Sequence, residues 1–309
     1  MKFSITIPAY KRKYLKEAID SCLSQTFKDF ELIIVNDASP EDLDSIVNSY
    51  SDDRIRYYKN EINCGAINVV DNWNKCLEYA KGEYLICMGD DDRLLPCCLN
   101  EYVTLMEKYP GLGAYHAWTE IIDENGAFKN ITVARCEYES AYSLIWHRIT
   151  FHRQQYIGDF LFEIKRLRKN GGFYKLPLAW GSDDITAVIA SLPSGIANTQ
   201  VITFQYRQNN YTISNTGNLN AKIEGLRGQQ KWYNDFLTIQ PHNAFDCKLH
   251  KLIKEKLPSY FEKRLAKDIS MGVDKGILSI VSFMFCRKKH NISLKVCYRA
   301  FMEYIKLRR

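Results

Sequence analysis

No apolar stretch in this chain of 309 residues approaches the ~20 needed to cross a bilayer. The amino terminus runs straight into strand-like sequence, without a basic and apolar leader. The expected location is therefore the cytoplasm. Glycine-rich phosphate loops are also missing: neither GxGxxG nor GxxxxGK follows any candidate strand, which argues against a dinucleotide site and against a P-loop ATPase. Ten cysteines are present, but paired CxxC spacing and histidine partners are not, so no zinc site is expected. Several of them (Cys22, Cys76, Cys87) sit within apolar runs, and the ten read as reduced, mostly buried thiols. With 46% apolar and 25% charged residues the composition is that of an ordinary soluble protein, long enough for one large domain and an appendage.

The net charge of +6 hides an asymmetry. From Cys247 onward there are 16 Lys and Arg against 5 Asp and Glu, so the rest of the chain is net acidic. Tail and body should face different partners. Residues Gly276 to Phe285 form an apolar decapeptide followed by Arg287, Lys288 and Lys289. It is too short to span a membrane, but it suits peripheral contact with an anionic bilayer, which would place the protein at the inner face of the cell membrane. The competing reading is a packed helix with a solvated basic side. No nucleic-acid partner is expected, because the body is acidic and no recognised binding motif occurs.

Phe3, Ile5 and Ile7 alternate as a strand and stop at Pro8; Tyr14 to Gln25 has helical spacing; Phe30 to Val35 is a nearly continuous apolar strand. Asn36-Asp37-Ala38-Ser39-Pro40 follows, with Ser39 placed to cap a helix beginning at Pro40. A strand at Ile55 to Tyr58, a helix at Ala66 to Tyr79 and a strand at Tyr84 to Met88 continue the alternation. Repeated β-α units with fully apolar strands predict a mostly parallel sheet between two helical layers. Pro96 to Lys108 reads as helix and Ala114 to Ile122 as strand. Residues 137 to 170 are weakly patterned, with a helix near Ala141 to Ile149 and a strand or helix around Phe160 to Leu167. Asp183 and Asp184 open a helix through Ala190, Val201 to Tyr206 reads as a last strand, and the chain beyond 220 is helical and basic.

Ligands of open α/β sheets bind beyond the carboxyl ends of the strands. There stands Asp90-Asp91-Asp92, three adjacent anions whose repulsion a divalent cation bridging to a phosphate would relieve. Pro8-Ala9-Tyr10 offers an aromatic face for a base, and Asp37 an acceptor for a pyrimidine imide hydrogen. Each residue taken singly reads as packing or turn chemistry; their joint placement at the ends of neighbouring strands carries the weight.

The segments Phe3 to Tyr10, Ser24-Gln25-Thr26-Phe27, Phe30 to Ser39, Asn63-Cys64-Gly65, Ala80 to Tyr84 and Gly89 to Pro96 together resemble glycosyltransferase family 2. Gly171-Gly172-Phe173, Asp183 and Tyr206-Arg207 recur in the same order, so the likeness covers about residues 1 to 215. It implies an inverting enzyme with the GT-A fold, a Rossmann-like three-layer α/β sandwich, followed by a helical carboxyl-terminal appendage. The expected divisions are 1–220 for the catalytic domain (1–110 nucleotide-binding, 111–220 acceptor) and 221–309 for the basic helical region. Pro8, Ala9, Tyr10, Asp37, Asn63, Asp90 and Asp91 would bind the nucleotide. Asp92 and Asp90 would hold manganese or magnesium, and Asp183 or Asp184 would be the general base. The partners implied are a nucleoside diphosphate sugar, a UDP-sugar foremost, and a saccharide or lipid-linked saccharide acceptor. A carboxylate must be kept off the metal to take the acceptor proton while the cation neutralises the leaving diphosphate.

Three departures stand out. Gly89 occupies a position where many members carry an acid. Trp73-Asn74 replaces an Arg-Asn pair, so the usual diphosphate-contacting arginine is missing, with Arg93, Arg207 or Lys75 as candidate substitutes. Gly181-Ser182-Asp183-Asp184 replaces a Gly-Glu-Asp. Two rival readings are a non-catalytic nucleotide-sugar-binding scaffold and a sugar-1-phosphate nucleotidylyltransferase, which would need a glycine-rich basic loop where this chain has Ala9-Tyr10-Lys11-Arg12-Lys13.

Overall fold

A computed structural model of the chain describes residues 1–209, 218–272, 287 and 292–306. The elements in order are β1 (Phe3–Ala9), α1 (Leu15–Leu23), β2 (Phe30–Asn36), α2 (Asp44–Val47), β3 (Ile55–Lys59), α3 (Val69–Tyr79), β4 (Tyr84–Cys87), β5 (Arg93–Leu94) and α4 (Cys98–Lys108). Then come β6 (Ala114–Ile122), β7 (Phe128–Ile131), β8 (Tyr138–Glu139), α5 (Ala141–Ile149), β9 (Phe160–Glu163), α6 (Ile164–Lys169) and α7 (Ser182–Ser191). The last are β10 (Ile196–Arg207), α8 (Leu219–Phe236), α9 (Ala244–Gly272) and α10 (Leu294–Lys306).

The sheet runs β3-β2-β1-β4-β9-β6-β10-β5, with β7 on β6 and β8 on β10. Its first four strands are parallel. β9 then enters antiparallel between β4 and β6, and β10 pairs parallel with β6. The apolar strands are explained by burial on both faces. On β2, Leu32 and Ile34 join one core with Phe3, Ile5, α1 and α4, while Ile33 and Val35 point to the opposite core with α3, α5 and α7. β1 departs from this pattern with Ser4 and Thr6, both fully buried. Their hydroxyls are satisfied by Glu31 (2.7 Å) and the Ile86 carbonyl (3.0 Å), as buried polar groups require.

The carboxyl-terminal helices expected from the sequence are present, and they pack on the core of the sheet. Leu226 and Tyr233 of α8, with Ile253, Leu257, Tyr260 and Phe261 of α9, belong to the same core as Trp73 and Phe173. A smaller core joins α9 to Val296, Cys297 and Ala300 of α10. Among the described residues no helix is long and apolar enough to cross a membrane. The apolar decapeptide Gly276 to Phe285 lies outside the described residues. Among the described residues nine cysteines are free thiols, and Cys22, Cys76, Cys87, Cys98 and Cys297 are buried.

One expectation fails locally: no helix begins at Pro40. Ser39 spends its hydroxyl on the Tyr10 carbonyl (2.6 Å) and on the backbone N–H of Glu41, joining the β1 and β2 loops, and a single helical turn forms only at Asp44–Val47. The strand-or-helix ambiguity at 160–167 resolves into both, β9 and then α6. The last strand is twice the expected length, Ile196–Arg207, with irregular register around Asn198 to Phe204.

Candidate active site

β1, β2 and β4 are neighbours whose carboxyl ends open on one edge, so Pro8, Asp37 and Asp90 to Asp92 converge. Two adjoining cavities lie there. The smaller, about 480 Å³, is lined by Pro8, Tyr10, Asp37, Asn63, Asp90 and Asp91, together with Lys11 and Asn72. The larger, about 590 Å³, is lined by Asp92, Asp183, Tyr206 and residues of the 148–157 and 178–181 segments, and α9 adds Arg264 and Lys267. Val69, Trp73 and Ile157 line both.

In the smaller cavity Asp37 is held by Asn60 Nδ2 (2.7 Å) and the Cys64 backbone N–H (2.9 Å), both donating to Oδ1. Asn60 also donates to Asn72 Oδ1 (3.0 Å), and Asn63 Nδ2 donates to the Asp37 carbonyl (2.6 Å). These asparagines fix the Asp37 carboxylate. Asn60 and Asn72 were not singled out from the sequence, although a polar residue amid the apolar face of α3 was a signal. Tyr10 is 42% exposed, free to present its ring. Ala9, by contrast, lines neither cavity: it is fully buried in the core, and its carbonyl accepts from the Asp37 N–H (2.9 Å).

The three acids of the β4 loop divide their work. Asp90 Oδ2 accepts from the backbone N–H groups of Tyr10 and Lys11 (2.7 Å each), locking the β1 loop. Asp91 Oδ2 accepts from Asn209 (2.8 Å), and Asp92 Oδ1 from the backbone N–H of Arg207 (2.9 Å). Burial and the Asp91 charge push the Asp90 and Asp92 carboxyls up from the ordinary range. Among the described residues no three His, Cys, Asp or Glu side chains converge as a metal cage. Two hard carboxylates with strained ionisation still fit a magnesium-like ion, which is bound through one or two carboxylates plus substrate phosphates.

Gly89 has a steric reason. A Cβ there would lie 2.9 Å from Asp92 Oδ2 and 3.0 Å from Asp91 Oδ1. Of the candidate substitutes for the missing arginine, Arg93 and Arg207 are both bound to Glu17. The Arg207 side chain also donates to the carbonyls of Asp91, Asp123 and Glu124, and it stacks 4.2 Å from the Tyr14 ring centre. It is a brace under the β4 loop. Lys75 lines a separate neighbouring cavity with Asn63.

Asp183 and Asp184 sit in the first turn of α7 but in different surroundings. Asp184 is 1% exposed, and its oxygens accept from Arg148 Nε (2.7 Å), Gln155 Nε2 (2.7 Å) and Gln229 Nε2 (3.0 Å). Burial alone would raise its carboxyl, but the Arg148 charge and these bonds hold it below the usual range. Asp183 faces the larger cavity, and burial together with the Asp184 charge pushes its carboxyl up. Gly181 precedes them at φ 98°, a left-handed conformation, and a Cβ there would lie 2.4 Å from Gln229 Nε2. The glycine lets Gln229 pass to Asp184.

The family model for glycosyl transferase family 2 matches residues 4–172, more than half of the chain, and the chain belongs to that family. It is 36% identical over 106 residues to an uncharacterized glycosyltransferase of Rickettsia typhi, covering 34% of this chain and 32% of that protein. It is 39% identical over 110 residues to the GalNAc(5)-diNAcBac-PP-undecaprenol beta-1,3-glucosyltransferase of Campylobacter jejuni, covering 35% of this chain and 34% of that one. The matches thus span about a third of the length of these relatives. Among solved structures, S. aureus TarS 1-349 in complex with UDP-GlcNAc superposes with a TM-score of 0.66 at 15% identity, covering 100% of this chain and 92% of that one. The mannosyltransferase PcManGT of Pyrobaculum calidifontis, in complex with GDP-Man and Mn2+, gives 0.53 at 14% identity over 98% and 87% of the two chains. The fold is that of GT-A glycosyltransferases, a mixed α/β architecture with a mostly parallel central sheet and a helical carboxyl-terminal part.

Proposed function

We propose that this protein is a metal-dependent, inverting glycosyltransferase. It moves a sugar from a nucleoside diphosphate donor, a UDP-sugar foremost, to a hydroxyl of a saccharide or lipid-linked saccharide in surface polysaccharide or glycolipid assembly. One observation carries the reading: Asp92 and Asp183 line a single cavity that shares walls with the pocket of Tyr10, Asp37 and Asn63. A carboxylate at the phosphate end and a separate one off it, in one space, is what a displacement at an anomeric carbon needs. The C. jejuni relative is named for a PP-undecaprenol-linked acceptor, and the two solved neighbours hold UDP-GlcNAc and GDP-Man with Mn2+, which supports the substrate classes.

In this mechanism Asp37 and Tyr10 seat the base, with Pro8 and Asn63 shaping the pocket. Asp183 takes the acceptor proton as the acceptor oxygen bonds to the anomeric carbon. The bond from that carbon to the diphosphate oxygen breaks, the nucleoside diphosphate leaves with the electron pair, and one displacement inverts the centre. Asp92 and Asp90 would hold a divalent cation, which would supply the positive charge that the departing diphosphate requires. Asp184, through Arg148, positions the start of α7.

The donor half is assigned to 1–110, the acceptor half to 111–220, and the remaining helices close the acceptor side. Leu294, Tyr298 and Met302 form an exposed stripe on α10, and with the surplus cations of the tail they favour peripheral contact with an anionic membrane face. Calorimetry with UDP- and GDP-sugars, with and without manganese, alongside a transfer assay, tests the proposal. Asp92→Ala and Asp183→Ala should each abolish transfer, and only the first should weaken metal-dependent nucleotide binding. Normal turnover in Asp183→Ala would sink the assignment of the base, and nucleotide binding without any product would favour the scaffold reading.

A further inference from the structure

The larger cavity carries four cations with unequal partners. Arg148 is neutralised by Asp184 (2.7 Å), and Arg153 gives both oxygens of Glu139 a bond (2.5 and 2.7 Å). Their charges are spent behind the wall. Arg264 and Lys267 of α9 line the same cavity; they act through space on the buried Asp268 carboxylate, and no described carboxylate lies within ion-pair distance of either. Asp268, their neighbour in sequence, is 3% exposed and takes the indole N–H of Trp180 on Oδ2 (2.8 Å), so it orients the indole. The Arg264 guanidinium lies 5.5 Å from the centre of that ring, held by a cation–π contact. Trp180 follows directly on Leu178 and Ala179, two non-glycine residues at φ 58° and 53°, a strain that the surrounding packing must hold in place and that clusters at functional sites.

Spaced three apart, Arg264 and Lys267 share one face of α9. The pair combines a pre-oriented planar fork of N–H donors with a mobile point charge, which is the chemistry that recognises phosphate oxygens. Asp183 lines the same cavity as Arg264 and Lys267, so an anion held by the pair shares that space with it.

We propose that Arg264 and Lys267 form an anion-binding rim on the acceptor side of the cavity, taking a phosphate-class group of the acceptor and selecting acceptors by it. The proposal rests on the reading of this cavity as the acceptor side of a glycosyltransferase. The same chemistry has two sources, the diphosphate of a lipid-linked saccharide and the phosphodiester of a polymer.

The test is direct binding, independent of transfer. Calorimetry on the whole chain in EDTA, which removes any metal-borne phosphate affinity, uses inorganic pyrophosphate, geranyl diphosphate and glycerophosphoglycerol as probes. Saturable binding is expected, weakened about tenfold or more by Lys267→Gln and by Arg264→Gln and retained by Lys267→Arg. Tighter binding of geranyl diphosphate assigns the site to a lipid diphosphate, and tighter binding of the diester assigns it to a polymer. Manganese-dependent UDP binding in the other cavity reports that each variant is folded. Absence of binding, or equal binding in wild type and both Gln variants, overturns the proposal. Anion binding that depends on these residues in a protein with no transfer activity would leave the rim standing and remove the enzymatic reading instead.

Discussion

Replacing each of the paired acids of α7 by asparagine should produce two unlike defects. Asp183→Asn removes the proposed base while leaving an oxygen that can still accept from the Asp184 backbone, so the loss should fall on kcat. General-base catalysis is worth about 10² to 10⁴ in rate, or about 3 to 5 kcal/mol of barrier. KM and the unfolding midpoint should stay near wild type. Asp184→Asn does the opposite. It strips the counter-charge from Arg148, whose side chain is 18% exposed against 1% for Asp184, and breaking such a buried pair costs about 3 to 5 kcal/mol. Asparagine still offers an acceptor oxygen and Arg148 keeps some water, so the lower end, about 3 kcal/mol, is expected. A domain of ordinary stability survives that, but its urea midpoint falls clearly. Urea unfolding and steady-state kinetics on both variants decide the matter. Near-normal kcat in Asp183→Asn, or an unchanged midpoint in Asp184→Asn, would refute the division of labour.

Two further outcomes follow from the same site. The Asp183 carboxyl is pushed up by burial and the Asp184 charge, and as the proposed base it must be ionised to act. Turnover should therefore fall, as pH drops, through an acid limb above the ordinary carboxylate value of about 4; a kcat profile flat down to that value would contradict it. Gly181→Ala should destabilise the fold by about 1 to 2 kcal/mol, because a side chain at φ 98° is strained and its Cβ meets Gln229. Thermal unfolding reads that loss, and an unchanged melting temperature would show that Gln229 moves freely.

The sheet and the position of the acids were legible because both are local. Buried parallel strands are continuous apolar runs, and their carboxyl ends can be read off. β9 was not, since it inserts antiparallel between β4 and β6 from more than seventy residues downstream, and its four residues look the same as a helix start. The choice between Asp183 and Asp184 was closed to sequence for another reason. Successive helical residues point about 100° apart, so one faces the cavity and the next the core, and only the helix's seating against Arg148 and Gln229 says which. Arg264 and Lys267 looked like tail charge because the packing that brings α9 to the cavity is made by Leu257, Tyr260 and Phe261, far from any motif.

The two departures at the donor site bear on one quantity, the charge balance of the diphosphate. Trp73 stands where an arginine is usual; it is 8% exposed and packs edge-on against Phe173 at 5.7 Å, an apolar wall common to both cavities. Arg93 and Arg207 are bound to Glu17, and Lys11 is the described cation that lines the smaller cavity. Against a leaving group of two or more negative charges, that side offers one lysine and three aspartates. On the proposed reading, leaving-group stabilisation would then fall almost wholly on a divalent cation held by Asp92 and Asp90. Chelation with EDTA should therefore remove transfer by about 10³ or more, the scale of a lost preorganised electrostatic contact. Trp73→Arg should restore part of the metal-free rate if its guanidinium reaches the diphosphate. Metal-free turnover within about tenfold of the manganese rate would show that the protein's own cations suffice, and would return the diphosphate to Lys11.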